Sequence, residues 1–559
     1  MSPQAQVNAS VARFLDACSR QHDFLVETAA EIVKSSTPEG VLDWVQLAGN
    51  FAAMHHPGRF ADGALENLAL QVGRKLDVSN GATCSPTQVV ARTPRLPPAK
   101  RRVLHVATTI YSVGGHTRTI LNWIRKDPHS EHSLVTTTST GVSISPLIAE
   151  AIASTGGQAF VLNDDTSLCA RASWLRNFAN ANADLVFLHL APYDVVPVAA
   201  FAADVGPPIA LINLADQCFW YGSTVADSVV HLREIGATSS RELRFTRNDL
   251  LLPIPLFETR AELSRGDARR EIGIPDSQLV LLTVGRRVKF APTARHNFFR
   301  VARAILVRNP DAHVYLVGVA ASDYASHPDF VSHERMHFAG TLDDATAHQK
   351  AADVYLEGFP FGSQTALLEA AMTGAACVPA FAPASPLLAT QDFALDGLAD
   401  NPADETAYID RACDFAAHPD KCAAAGAALR ERVLHYHVLP SWNEMLENTY
   451  RALAQLRHEP KDLPSTRGEQ RPVDLAISEY HGSQFTEGNL AQRVEDEVRG
   501  RIKNSAYYLR RRGFHADSFR MLRIANRNRR WDRESLVYAA KILPHWVLHN
   551  TRRLISRTA

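Results

Sequence analysis

From Ala352 to Gly374 the chain reads ADVYLEGFPFGSQTALLEAAMTG. A β-branched and aromatic run breaks at a turn with Pro360 and Gly362, passes through the small polar residues Ser363, Gln364 and Thr365, and continues as a helical stretch carrying Glu369. A strand, a tight turn and a helix N-terminus offer backbone N–H groups and the positive end of a helix dipole, which favour an anion. A carboxylate further along accepts hydrogen bonds from sugar hydroxyls. The stretch therefore reads as a seat for a nucleotide diphosphate; the alternative is an ordinary β-turn-α crossover with no ligand. A second group, Arg286, Arg287 and Lys289, follows the run LVLLTVG. Cations at that strand end face the anion seat along one sheet edge, where they stabilise the charge a diphosphate gains as its bond to a sugar breaks.

The first half of the chain holds further candidates. Tyr111–Arg118 contains Gly114, Gly115 and His116. A Gly-Gly pair lets backbone approach a ligand and opens a helix, but the spacing is not GxGxxG, so NAD and FAD are not supported. His189 ends the run DLVFLHL and Asp216 follows PIALINL, strand ends at which a base would lie on a cleft rim. A satisfied structural histidine and a turn-capping aspartate are the plainer readings. His55 and His56 are neighbours on a helix and point in different directions, so a helix end before Pro57 accounts for them without a metal.

The elements that must position these residues follow from hydrophobic pattern. Residues 1–80 carry helical spacing and form a helical N-terminal module. Residues 81–100, rich in Ser, Thr, Pro and Arg, read as a linker. Over 101–256 five apolar runs, RVLHVAT, SLVTTT, AFVLN, DLVFLHL and PIALINL, alternate with amphipathic stretches. A second series, LVLLTVG, HVYLVGV, RMHFAG, VYLEGF and ACVPAF, occupies 257–458. Two βα series imply an α/β protein of two Rossmann-like domains, with ligands bound beyond the strand carboxyl ends in the cleft between them. The acceptor side falls to the first domain and the donor nucleotide to the second. Residues 403–456 return to helix and are placed to pack back across the junction.

At this point the residues resemble a known class. The layout from about Val103 to Tyr450 is similar to a GT-B glycosyltransferase. GGHTR, TVGRR and LLEAAMTG resemble family 4 enzymes, which implies that Gly114 and Gly115 approach the donor, that the Arg/Lys pair holds the diphosphate, and that Glu369 binds the ribose. KFAPTARHNFFRVARAILVRNPDAHVYLVG and ADVYLEGFPFGSQT resemble the O-GlcNAc transferase and bacterial protein N-glucosyltransferase type. That likeness implies that Lys289 contacts a UDP diphosphate and the Ser363–Thr365 turn the nucleotide. Gly362 stands where family 4 carries a further glutamate, and Gln364 where the other type carries a histidine. Leu214-Ala215-Asp216 replaces the His-Ala-Asp of related bacterial enzymes, which moves the base to His116 or His189.

The resemblance implies a metal-independent transferase that moves a hexose or N-acetylhexosamine from a UDP-linked donor to a glycan, lipid or protein, with no cofactor beyond that donor. A nucleotide-sugar epimerase or sugar-phosphate synthase of the same fold, and a non-catalytic scaffold, are the alternatives. Apolar residues make up 46% of the chain and charged ones 21%, with zero net charge, so overall charge calls for no acidic partner. Seven scattered cysteines without a CxxC pair indicate neither zinc nor a disulfide framework and fit a reducing cytoplasm. MSPQAQVNAS lacks the order of a signal peptide, and no apolar run reaches a membrane span. Residues 459–559 form a linker and a helical tail with sixteen Lys/Arg against three Asp/Glu from Arg499 on. Such a tail suits peripheral contact at the inner face of a membrane, or a basic subdomain folded on the enzyme; nucleic acid is the weaker reading.

Overall fold

The computed structural model describes residues 3–92, 100–111, 115–142, 144–293, 295–381, 386–388, 390–438, 440–465, 470–482, 489–527, 529, 531–533 and 535–542. The first apolar series forms β2 (Arg101–Ala107), β3 (Ser130–Thr136), β4 (Ala159–Val161), β5 (Leu185–His189) and β6 (Ile209–Asn213), extended by β7 (Ser228–His231) and β8 (Asp249–Leu251). A further strand, β1 (Thr87–Val90), lies within the stretch that reads as a linker and pairs antiparallel with β4. Only Val90 of its four residues is buried, so the strand carries almost no hydrophobic signal. The sheet order is β1-β4-β3-β2-β5-β6-β7-β8, parallel apart from β1.

The second series forms a parallel sheet from β9 (Leu279–Val284), β10 (Ala312–Val317), β11 (Met336–Gly340), β12 (Val354–Leu356) and β13 (Ala376–Val378). Its order is β11-β10-β9-β12-β13. Both sheets are covered on two faces, which is why their central strands are near-continuous apolar runs. The helix Pro440–Ala454 returns to the first domain, where Trp442, Leu446, Tyr450 and Leu453 pack with Trp123 and Phe187.

The helical ends come together. Pro3–Ser35, Pro38–His55 and the tail helices Leu490–Arg511 and His515–Ala525 share one apolar core with a face of the first sheet. The tail's basic groups meet acids of the N-terminal helices, Arg512 with Glu39 and Asp43 at 3.2 and 3.3 Å and Arg527 with Glu31 at 3.1 Å, while Arg529 meets Glu495 within the tail itself at 2.6 Å. The tail is thus a helical subdomain docked on the N-terminal helices; Trp546 lies outside the described residues. His56 closes the helix Pro38–His55 and bonds Asp474 at 2.9 Å. Among the described residues no helix is long and apolar enough to cross a membrane, and no cluster of His, Cys, Asp or Glu could hold a metal. The seven cysteines are unpaired.

Candidate active site

Each sheet reverses its winding once, between β2 and β5 in the first and between β9 and β12 in the second. At a reversal the connections leaving the two strands diverge and open a crevice beyond their carboxyl ends. Arg286 and Lys289 lie just after β9, and the turn 358–363 just after β12. Lys289 Nζ donates to the Gly362 carbonyl at 2.5 Å. Burial holds its ammonium below the ordinary lysine range; Glu357 opposes that shift, while Arg286 and Arg233 add repulsion. Three cations within reach of one another at a helix start make a site that an anion would relieve.

The turn is shaped from beneath by Glu357, a residue that sequence reasoning missed. Fully buried, it accepts hydrogen bonds from Ser363 N (2.8 Å), Thr390 Oγ1 (2.5 Å) and Ala380 N (2.8 Å). A Cβ on Gly362 would stand 2.4 Å from the Glu357 carboxylate, which explains glycine there. The helix Gln364–Met372 then starts with no side-chain cap, so its first N–H groups are available to water or a ligand.

The two domains meet at two helix N-termini. A Cβ on Gly115, which opens the helix Gly115–Lys126, would lie 3.1 Å from Thr365 Oγ1. Gly114 lies outside the described residues. Glu369 is paired across the cleft with Arg118 at 2.7 Å and also accepts from Gln349 at 3.0 Å. Burial pushes its carboxyl up, and Arg118 acts against that. Gln364 does not face the cleft with its amide nitrogen, which donates to Asp392 at 2.9 Å.

In the first domain His189 pairs in register with Ala107 at the reversal. It is buried, and burial, with His105 and His116 adding to it, keeps it well below the ordinary histidine range. His116 is partly exposed above it, with ring centroids 5.8 Å apart and planes at 81°, and burial pushes its pKa down to about 4. Both imidazoles are therefore neutral near pH 7. Asp216 is engaged otherwise. Its carboxylate takes the Arg233 guanidinium (Nε at 2.8 Å) on one oxygen and Asn213 (2.5 Å) on the other, so it anchors Arg233. In the sequence Arg118 and Arg233 are single cations with no local signal; Glu369, the partner of Arg118, comes from the other domain, and Asp216, the partner of Arg233, lies 17 residues before it.

No family model matches the chain, and no curated protein matches it. Solved structures do. The chain is similar to an O-GlcNAc transferase mutant from Thermobaculum terrenum at 15% identity and a TM-score of 0.49, covering 79% of this chain and 82% of that one. HepE from Anabaena, solved with UDP and glucose, matches at 14% identity and a TM-score of 0.47, covering 63% of this chain and all of that one. A UDP-N-acetylglucosamine 2-epimerase from Listeria monocytogenes, so named without proof of activity, matches at 12% identity and a TM-score of 0.39, covering 66% and 100%. Likenesses this distant leave the chemistry to the chain's own residues. Two Rossmann-like domains whose strand carboxyl ends turn toward a common cleft define the GT-B architecture, and this chain has it.

Proposed function

We propose that the protein is a glycosyltransferase that moves a hexose or N-acetylhexosamine from a UDP-linked donor to a glycan, lipid or protein acceptor. One observation carries the reading: Lys289, the uncapped helix start at Ser363–Thr365, and Glu369 meet at one sheet reversal, opposite the helix start at Gly115 of the other domain. Arg286 and Lys289 neutralise the departing diphosphate together with the helix N–H groups, which does not call for a metal. Glu369 exchanges Arg118 for the ribose hydroxyls. Gly115 leaves room for the sugar, and His116 and His189 stand on the acceptor side.

Calorimetry with UDP tests the donor site. Loss of a charge-assisted contact is worth about 1.5–3 kcal/mol, so Lys289→Ala and Glu369→Gln are each expected to raise the Kd roughly ten-fold or more. Unchanged UDP binding in both variants would rule the site out. Incubating donor alone separates transfer from epimerisation, because an epimerase converts the donor without an acceptor.

A further inference from the structure

Behind the cleft histidines lies a line of buried titratable groups that donor binding does not use. It runs from His189 on β5 to His105 on β2, His132 on β3 and Asp127 just before β3. His189 Nε2 is 3.0 Å from His105 Nδ1, His105 Nε2 is 3.0 Å from His132 Nδ1, and His132 Nε2 is 3.1 Å from Asp127 Oδ2. None of the four is more than 3% exposed. Tyr450 donates to the same Asp127 oxygen at 2.9 Å.

The carboxylate gives the line a direction. Burial raises the Asp127 carboxyl, but the hydrogen bonds it accepts from His132, Ser130 and Tyr450 outweigh burial and hold it well below the usual range. A carboxylate only accepts, and a neutral imidazole has one N–H and one lone pair. With one proton on each ring, His132 therefore carries its proton on Nε2 and accepts on Nδ1. His105 must then donate from Nε2 and accept on Nδ1, and His189 must donate from Nε2. The nitrogen left over is His189 Nδ1, which is buried without a partner; the His116 ring stands nearly at right angles to the His189 ring, with centroids 5.8 Å apart.

We propose that Asp127, His132 and His105 are positioning residues that fix His189 as its Nε2–H tautomer, so that the cleft pair of His116 with His189 behind it accepts the proton of the incoming hydroxyl. The partly exposed His116 takes that proton on its cleft-side nitrogen, and a turn of its ring brings its other N–H onto the open His189 Nδ1, which receives that second proton. The hydroxyl oxygen's electron pair forms the new bond to the anomeric carbon. The bond from that carbon to the diphosphate oxygen breaks, and its pair leaves with the nucleotide. His189 ends as an imidazolium whose second N–H is already held by His105, with the Asp127 charge at the far end. The chemistry of this step rests on the transfer reading above; the tautomers do not.

Full-length protein labelled with 15N-histidine reads the tautomers with no ligand present. His189 is expected to show a pyridine-type Nδ1 and a pyrrole-type Nε2. In Asp127→Asn the amide can donate to His132 where the carboxylate could only accept, and the His189 assignment is expected to mix or reverse. With UDP-glucose as the probe donor, kcat is expected to fall roughly 10²-fold or more while UDP affinity stays at the wild-type value. Tyr450→Phe removes a bond to the same carboxylate without altering the direction of the line; it should lower the melting temperature and keep the wild-type tautomer. A protonated His189 Nδ1 in the wild-type protein overturns the proposal, whether or not any variant folds, and so does an unchanged tautomer in Asp127→Asn. Failure of the wild-type protein to bind UDP sinks the transfer reading alone, since the tautomer measurement still decides the line.

Discussion

A buried carboxylate keeps its place only if donors surround it. Glu357 has three, from Ser363, Ala380 and Thr390, and together they set the course of the turn that carries Lys289's acceptor, the Gly362 carbonyl. A methyl group at 362 would meet the Glu357 and Thr390 oxygens at 2.4 and 2.5 Å, and both of those side chains are buried and bonded. Gly362→Ala is therefore expected to cost about 1–3 kcal/mol and to weaken UDP binding by displacing that carbonyl. The Ser363 side chain makes no cap, so Ser363→Ala should stay within roughly 0.5 kcal/mol of wild type. Thermal denaturation and UDP calorimetry of the pair check this; matching melting temperatures would mean that the turn has room to spare.

At the scale of elements, the central strands could be read from the chain because burial on both faces makes them unbroken apolar runs, as in β5 and β9. The edge strands could not: β1 is mostly exposed, and β8 is three half-buried residues. The helix start at Gly115 and the turn before Gln364 were legible as punctuation, since glycine and proline mark them locally. The histidine line was not, because His105 is 84 residues from His189 and 27 from His132, and nothing within one strand says which strands become neighbours. The same holds for Asp392, whose carboxylate joins Gln364, at the helix start after β12, to His437 in the π-helical segment Leu434–Val438. His437 meets a carboxylate on Nε2 (2.9 Å) and the Ile254 carbonyl on Nδ1 (2.8 Å), so both nitrogens donate and the ring is an imidazolium. Burial opposes that charge, and Asp392 outweighs it, so the His437 pKa is raised; Asp392, also opposed by burial, is lowered by His437. The histidine's contribution is complete below its unfolded value of 6.5 and is lost as pH rises through the higher folded value. The aspartate's is complete above 3.8 and is lost as pH falls through the lower folded value. The stability gap between wild type and His437→Asn is thus expected to be widest between these two values and to shrink on either side. Denaturant titrations across the pH range measure it, and a gap independent of pH would contradict the charged pair.

For the whole molecule, the division of cores matters more than the division of sequence. The N-terminal helices, the tail helices and one face of the first sheet form one apolar cluster that includes Phe14, Trp44, Val106, Leu188, Val498 and Leu509. The second domain has its own, around Leu281, Phe298 and Val354 on one face and Leu282, Tyr355 and Leu367 on the other. The described terminal helices are therefore structural parts of the first domain, and the tail's Arg512 and Arg527 add ion pairs to an interface that apolar burial already holds. Leu509→Ala is expected to cost about 2–5 kcal/mol and to loosen that unit as a whole. In hydrogen exchange, amides of Pro3–Ser35, Leu490–Arg511 and β2–β6 should lose protection together, while β9–β13 keep theirs. An equal loss in β9–β13 would show a single cooperative unit instead. Because the proposed donor seat lies in the second domain and the histidine line in the first, mild denaturant should abolish transfer by Leu509→Ala at concentrations where UDP still binds. The order of those two losses reports which domain each half of the chemistry depends on.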